Sequence, residues 1–392
     1  MEGVTTLPMR LWMALTSAPE TMGTPFLRVT PTFPGALLPG MFAPECAEFK
    51  LLVSYRLIPQ IMAVDAEQAK FAVDTFSMDV PFVELNCGCP SPTPVGKGAG
   101  SSLLQNPEYF FSTVSSLASS VGPGRLAIKM RTGFYDEREF PNLLSGLSSL
   151  PLARLTIHGR TRVDGYTGKA RWNWMSMAAT QCSFPVIGSG DVVDAASLQQ
   201  KRLEAPEISG VIVGRGALRN PWIFQELTGL SRNIELSLNT LCHALIVHCL
   251  LHEWTRRETE TTSNIFDMPS GIARFMESGR FLKAAINDES RWMYHHQKLR
   301  QVLRLQTLDE RHPYLGLDIK GPALGRTKML WNYLKSSLPD AFSEPLLLRS
   351  ADLEQLISGI LAIGQAQGLG RGIFLNHNPR WDRIYSGRAA NP

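Results

Sequence analysis

Seven short apolar runs, separated by segments long enough to form helices, lie between Phe26 and Gly214. They cover residues 26–29, 57–62, 81–86, 126–131, 154–158, 185–189 and 210–214. The runs are almost continuously apolar, and helical patterns follow most of them. This combination predicts a parallel sheet that is buried on both faces by crossover helices. The fold class is therefore α/β.

Polar residues at the ends of these runs distinguish between two α/β architectures. They lie at or just past the C-terminal ends, at Gln60, Asn86, Lys129, Arg131, His158, Ser189 and Arg215. In an open doubly wound sheet they would spread along an edge, whereas in an eight-stranded barrel they would converge on one mouth. We therefore favour a TIM (β/α)8 barrel over the open sheet.

The pattern changes at about residue 236, where apolar residues begin to recur at helical spacing. This spacing covers 236–254, 298–308, 328–338 and 353–366. It predicts an α/β domain over residues 1–235 and a C-terminal all-helical domain over 236–367. Residues 368–392 are rich in Gly, Asn, Arg and Pro and are predicted to form a partly ordered tail.

Composition excludes several classes of protein. No run of 18 apolar residues is present, so the sequence predicts no transmembrane helix. The chain has 6 Cys, too few for a disulfide framework, which fits a reducing cytoplasm. Cys87 and Cys89 are separated by one residue, and no second pair has zinc-site spacing, so we expect no metal.

The net charge of +4 is unevenly distributed. Residues 256–335 hold 14 Lys and Arg against 9 Asp and Glu, and the rest of the chain is nearly balanced. A basic segment of this kind is typical of a polyanion-binding surface, although a solvated helical surface gives the same pattern.

One segment combines a buried strand with reactive side chains. The run Val83-Glu84-Leu85 ends in Asn86-Cys87-Gly88-Cys89-Pro90, and a glycine-rich turn follows over 95–101. Lys129-Met130-Arg131 closes another run, and a Lys at the end of a buried strand is costly unless it has a partner. The pattern indicates an active site at the strand ends.

Two glycine-rich turns follow late strands, at Val186–Asp191 and Val213–Ala217. Such turns let backbone N–H groups approach a phosphate. His158 precedes Gly159-Arg160-Thr161, and Gly165-Tyr166 follows. This order of motifs favours a phosphate-bearing cofactor.

Together these motifs resemble the signature of the tRNA-dihydrouridine synthases, flavoenzymes that reduce uridine in tRNA. The resemblance is specific over residues 1–225 and looser to about 340, through 324–328 and 331–334. It implies FMN as cofactor, NADPH as reductant and tRNA as partner, in a cytoplasmic enzyme that we expect to be a monomer. The Asn-Cys-Gly-Cys-Pro form leans toward the branch that modifies position 16.

The resemblance also implies roles for individual residues. Cys89 is the proton donor to C5 of the uracil, while hydride from reduced FMN reaches C6. Asn86 lies beside the target base, Arg131 orients it, and Arg326 and Lys328 belong to the tRNA-binding surface. The implied flavin contacts are Met1, Glu2, Gln60, Lys129, His158, Ser189, Gly190, Asp191, Gly214 and Arg215.

The chain departs from the family pattern at three places. The family usually has Asn where Ser189 stands, and we expect binding to survive because backbone groups do most of the work. Residues 256–295 fit the pattern poorly and are treated as an insertion. Residues 1–5 resemble the end of the first barrel strand, so we expect either a start upstream of Met1 or a frayed first strand.

Two other functions remain open at this point. One is an FMN-dependent barrel oxidoreductase that acts on a small molecule, as dihydroorotate dehydrogenases do; it shares the phosphate loops but has no need of a basic helical domain. The other is a non-catalytic RNA-binding derivative of a synthase, which the incomplete first strand allows.

Overall fold

The computed structural model describes residues 4–17, 19–30, 55–76, 80–91, 98–229, 238–261 and 319–368. The strands are β1 Thr21–Gly23, β2 Leu27–Arg28, β3 Arg56–Ile58, β4 Gln60–Met62, β5 Val83–Cys87, β6 Leu126–Arg131, β7 Arg154–His158, β8 Val186–Ser189 and β9 Gly210–Ile212. The helices are α1 Leu7–Thr16, α2 Ala66–Phe76, α3 Pro107–Val121, α4 Phe140–Leu147, α5 Asn173–Gln181, α6 Ala195–Glu204, α7 Arg215–Arg219, α8 Ile223–Leu227, α9 Leu238–Thr261, α10 Gly321–Leu334 and α11 Leu353–Ala366.

Seven strands form one parallel sheet in the order β2-β4-β5-β6-β7-β8-β9. Helices α2 to α6 follow β4 to β8 in turn and return the chain to the next strand. The predicted α/β class is confirmed, and a strand of this sheet overlaps each of the seven predicted runs, although the run at 57–62 is divided. Closure into a (β/α)8 barrel stays a prediction, because residues 1–3 of the expected first strand lie outside the described part of the chain.

The single strand expected over residues 57–62 is wrong, because the structure has two short strands there. Pro59 separates β3 from β4; it has no N–H to donate to a ladder. β3 pairs with β1, while β4 joins the seven-stranded sheet. The Gln60 N–H donates instead to Thr24 Oγ1 at 2.9 Å, and Pro59 O accepts from Glu84 N at 2.9 Å. Because of this break, β4 begins at Gln60, which pairs with Glu84 of β5 in the seven-stranded sheet.

Alternation along the strands separates apolar from polar side chains. On β5, Val83, Leu85 and Cys87 share one face and belong to the hydrophobic core, whereas Glu84 and Asn86 share the other. In-register neighbours continue the polar face with Lys129 and Arg131 on β6 and with Thr156 and His158 on β7. The helices cover the apolar face, so the opposite face is the one that can carry a site.

The C-terminal helices pack directly on the α/β part. Trp12 of α1 donates from Nε1 to Ala244 O on α9 at 2.7 Å, and its ring meets His248 edge-on with a centroid separation of 5.5 Å. His248 Nδ1 lies 3.0 Å from Thr327 Oγ1 on α10, and that hydroxyl donates to Ala323 O. One continuous apolar core therefore joins α1, α9 and α10.

The helices predicted at 236–254, 328–338 and 353–366 are confirmed as α9, α10 and α11, with shifted ends. The predicted helix at 298–308, most of the expected insertion and nearly all of the expected tail fall outside the described residues. The division into domains at residue 235 stays a prediction. Within the part that is described, no helix is long and apolar enough to cross a membrane.

We predict opposite effects for alanine at two glycines. A Cβ on Gly188 of β8 would lie 2.4 Å from the ring of Trp172, which is 1% exposed. Gly188→Ala should therefore lower the free energy of unfolding by about 1–3 kcal/mol through overpacking. A Cβ on Gly325 in α10 would meet no atom of another part of the protein within 4 Å. Gly325→Ala should therefore raise the free energy of unfolding by about 0.5–1 kcal/mol. Urea unfolding of both variants measures the contrast, and equal stability would contradict the packing described here.

Candidate functional site

The structure gathers the predicted residues at the C-terminal ends of adjacent strands. Asn86 is in register with Lys129, Arg131 with His158, and His158 with Ser189. Neighbours in register on parallel strands share a face, so these side chains form one surface. The structure therefore brings these five residues together at the strand ends, and their roles in a site stay predictions.

The two cysteines of the motif lie in different environments. Cys87 belongs to the apolar face, and burial, followed by the charge of Glu84, raises the pKa of its thiol far above the usual range. Cys89 lies beyond the strand and is partly exposed. Its carbonyl oxygen accepts from the Ser101 backbone N–H at 3.2 Å and from Ser101 Oγ at 2.8 Å. Only Cys89 is thus open to a ligand at the strand ends.

A chain of hydrogen bonds runs from the base of β5 to Cys89. Gln60 Nε2 donates to Glu84 Oε1 at 2.7 Å, and Asn86 Nδ2 donates to Gln60 Oε1 at 2.7 Å. Asn86 Oδ1 in turn accepts from the N–H groups of Gly88 and Cys89, both at 3.0 Å. We refer to Glu84, Gln60 and Asn86 as the Glu84 relay. It fixes the backbone that carries Cys89.

Arg131 is buried and binds three backbone carbonyls. Its Nε donates to Gly88 O at 2.8 Å, and its Nη1 donates to Thr161 O at 2.7 Å and to Gly165 O at 2.8 Å. The guanidinium therefore ties the segment before Cys89 to the loop after β7. Its predicted role in orienting a base stays a prediction, since the contacts that the structure shows are structural.

Tyr166 was not among the predicted site residues, although Gly165-Tyr166 belongs to the motif. Its ring is 52% exposed and lies between the guanidinium groups of Arg131, at 5.5 Å, and Arg215, at 5.1 Å. The His158 ring is 6.2 Å away, centroid to centroid. Both guanidinium groups lie within cation–π distance of the ring, so Tyr166 helps to hold two cations at the strand ends.

Lys129 has no hydrogen-bonded or ionic partner among the residues described. Its side chain is partly exposed, yet burial lowers the pKa of its amine. The negative charge of Glu84 is the largest influence that raises this pKa. A buried amine without a partner is costly. The Lys129 amine is not engaged by the described residues, and its role as a flavin contact stays a prediction.

His158 is expected to be neutral. Burial, and then the positive charges of Arg131 and Lys129, hold the pKa of His158 well below its usual range. Its Nε2 lies 3.4 Å from Arg160 Nη1, a contact in which the neutral ring nitrogen would accept. The strand ends therefore carry positive charge on Lys129, Arg131, Arg160 and Arg215, with none added by His158.

Backbone N–H groups without an acceptor among the described residues follow both β8 and β9. Gly190 and Asp191 have positive φ angles of 124° and 59°. The Asp191 carboxylate accepts from Arg160 Nη2 at 2.7 Å and from Ala170 N at 2.6 Å, so the side chain is engaged. The backbone N–H groups of Gly190, Asp191 and Gly214 donate to no described residue. These N–H groups fit the phosphate expected from the sequence.

The remaining predicted residues are distributed differently. Arg326 lines a pocket between α1, α9 and α10 together with Val4, His248 and His252. Lys328 Nζ donates to Ser350 O at 2.5 Å, which ties α10 to the C-terminal segment. Met1 and Glu2 lie outside the described residues. The roles of all these residues in binding stay predictions.

Two further buried residues of the site escaped prediction. Glu84 holds Gln60, and Arg160 holds Asp191 through an ion pair of 2.7 Å. Glu84 had a signal, because a carboxylate in the middle of a buried apolar strand requires a partner. Arg160 had none beyond its place in the Gly-Arg-Thr sequence.

Comparison with known proteins places the chain in a family. The family model described as dihydrouridine synthase matches residues 1–306. A probable tRNA-dihydrouridine synthase from Aquifex aeolicus is 30% identical over 53% of this chain and 66% of its own length. A tRNA-dihydrouridine(47) synthase-like protein from Arabidopsis thaliana is 32% identical over 38% and 22%. A tRNA-dihydrouridine(16) synthase from Cupriavidus necator is 29% identical over 71% and 92%. The chain thus spans less than two thirds of the first two relatives.

We predict that Lys129→Met stabilises the protein when it is free of bound small molecules. The substitution removes an amine that has no partner and keeps the length of the side chain, so the free energy of unfolding should rise by about 1 kcal/mol. Lys201 is the matched control, because its amine is 2.9 Å from Glu204. Lys201→Met should leave stability unchanged or lower it. Thermal unfolding compares the two, and a less stable Lys129→Met would mean that the amine has a protein partner.

Proposed function

Because the chain belongs to the dihydrouridine synthase family, we propose that it reduces uridine to 5,6-dihydrouridine in tRNA, with FMN as bound cofactor and NADPH as reductant. The observation that supports this best is the Lys129 amine, which is desolvated, has no hydrogen-bonded or ionic partner among the described residues, and lies in register with Asn86, three residues before the partly exposed Cys89. We further propose that the α/β part closes into a (β/α)8 barrel, that the helical domain after it binds tRNA, and that the enzyme acts in the cytoplasm. A monomer remains our expectation.

The described residues fit FMN at two points. Lys129 would face the electron-rich edge of the flavin ring, and Gln60 and His158 lie on the same surface. The N–H groups of Gly190, Asp191 and Gly214 would hold the phosphate, with Arg215 adding positive charge. Ser189, where the family usually has Asn, lies in register with His158, at the same strand ends as the other proposed flavin contacts. Bound flavin supplies the hydride that reaches C6 of the uracil.

Cys89 would give the proton to C5. A general acid must be accessible to the reacting atom, and Cys89 is partly exposed while Cys87 is sealed in the core. Asn86, whose oxygen holds the Cys89 backbone, lies next to the position proposed for the base. Tyr166 and Arg131 would cover the ring from the side of the loop after β7.

The target base must leave its stack to reach this surface, as for other enzymes that act on a buried base. Arg326 and Lys328, together with the basic residues of 256–335, would contact the tRNA backbone, and binding should weaken with salt. Position 16 is the first uridine to test, since a relative named for that position is covered over 92% of its length. A relative named for position 47 makes that the second.

A small-molecule FMN oxidoreductase is the alternative that the same strand ends could support. It predicts no response to RNA. Incubation with NADPH and an unmodified tRNA transcript, followed by mass spectrometry of the nucleosides, separates the two functions. Dihydrouridine in the product supports our proposal, whereas NADPH consumption without it would support the alternative.

We predict that the two cysteines differ in this assay. Cys89→Ala removes the proposed acid and should lower turnover by about 100-fold or more while FMN stays bound. Cys87→Ala is the matched control, because its thiol lies in the core and should have no part in the reaction. It should turn over like the wild type. An equal loss in both variants would show that the wrong thiol has been assigned.

A further inference from the structure

Every side-chain oxygen of the Glu84 relay is used within the protein. Glu84 Oε1 accepts from Gln60, and Oε2 accepts from Arg154 Nη2 at 2.8 Å and from Thr156 Oγ1 at 3.1 Å. Gln60 Oε1 accepts from Asn86, whose Oδ1 accepts from two backbone N–H groups. Each amide keeps one free N–H, because each NH₂ has two hydrogens and uses one here. The Asn86 oxygen has both lone pairs engaged, and the Gln60 oxygen has one engaged by Asn86.

The two ends of the relay determine its direction. A carboxylate can only accept, so Gln60 must turn its NH₂ toward Glu84 and its oxygen toward Asn86. At the other end the Gly88 and Cys89 N–H groups can only donate, so Asn86 must present its oxygen to them. Both ends demand the same orientation of both amides. Glu84 is 2% exposed, so water does not replace it as the acceptor.

We propose that Glu84 is a positioning residue of the site. It fixes the direction of the relay, so that Gln60 and Asn86 each keep an N–H donor for a ligand, and it anchors the backbone of Cys89 through them. This inference rests on the proposed function. The ligand edge that suits the relay carries acceptor atoms, as do the carbonyl edges of a flavin and of uracil.

Lys129 strengthens the same selectivity. It lies in register with Asn86, and its amine, when protonated, donates and cannot accept. A ligand that presented donors here would leave N–H groups buried and facing one another, which is costly. The N–H groups of Gln60, Asn86 and Lys129 therefore favour a ligand edge that carries acceptor atoms.

Arg154 provides a matched control, because its ion pair with Glu84 can be broken from either side. The pair measures 2.8 Å, and Arg154 lies at the first residue of β7, at the opposite end of that strand from His158. Glu84→Met removes the ion pair and the acceptor for Gln60. Arg154→Met removes the ion pair and the contact of the guanidinium with the Phe82 ring, 5.0 Å to its centroid, and leaves the relay complete.

The test compares these two variants in the full chain loaded with FMN. Both should unfold at lower temperature. Glu84→Met should lower kcat for an unmodified tRNA transcript by about tenfold and weaken FMN binding, with KM for tRNA within about twofold. Arg154→Met should keep kcat within about twofold of the wild type. Equal losses of kcat in both would overturn the inference, because Glu84 would then act through stability alone.

A reciprocal exchange covers the case in which Glu84→Met does not fold. Gln60→Glu places two carboxylates together and should be strongly destabilised. When Glu84→Gln is added, the new carboxylate at position 60 can accept from Asn86 and from the new amide at position 84. Stability and slow hydrogen exchange at Gly88 and Cys89 should then return. FMN binding should stay weak, because a carboxylate at position 60 has no N–H left to donate. Full FMN affinity in the double variant would overturn the inference.

The design also separates failure of the inference from failure of the proposed function. If the wild type forms no dihydrouridine, the proposed function fails. FMN affinity by fluorescence and hydrogen exchange at Gly88 and Cys89 then still judge the relay. If the wild type is active and the reciprocal exchange does not restore stability over Gln60→Glu, the relay is wrong and the function stands.

Discussion

Glu84 lies on a strand that is buried on both faces, and its carboxylate accepts hydrogen bonds from Gln60, Arg154 and Thr156. A buried charge of this kind is destabilising unless every oxygen is satisfied. Satisfying it determines how Gln60 and Asn86 are oriented, and Asn86 then holds the N–H groups of Gly88 and Cys89. The position of the one accessible thiol of the motif thus depends on an acid in the middle of the same strand.

The other half of the site follows from positive charge that the fold does not neutralise. Lys129 has no partner among the described residues, Arg131 is held by carbonyl groups, and burial keeps His158 neutral. Together with the N–H groups of the loop after β8, these residues favour an electron-rich or anionic ligand. The desolvated Lys129 amine is unfavourable in the ligand-free chain, because no described residue pairs with it. This is why Lys129→Met should stabilise that form.

Much of this site could be predicted from sequence because parallel strands place their C-terminal residues at one edge. A polar residue that closes an apolar run, such as Asn86 or His158, is a local signal and was found. Glu84 was missed because its partners are far apart along the chain: Gln60 and Arg154 are brought together only by strand order. The break at Pro59 was also missed. A proline within an apolar run signals an interrupted ladder, but nothing in the run shows that its two halves pair with different strands. The role of Arg131 as a clamp depends on loops whose path no periodicity describes.

The most direct test of the central claim is an anaerobic flavin measurement. The purified protein would be reduced with limiting NADPH, an unmodified tRNA transcript would be added, and absorbance would be followed near 450 nm, roughly where oxidised flavins absorb. We expect the band to return as tRNA takes up the hydride, and we expect Cys89→Ala to slow its return. A reduced flavin that tRNA leaves unchanged would contradict the claim, as would a wild-type protein that binds no flavin.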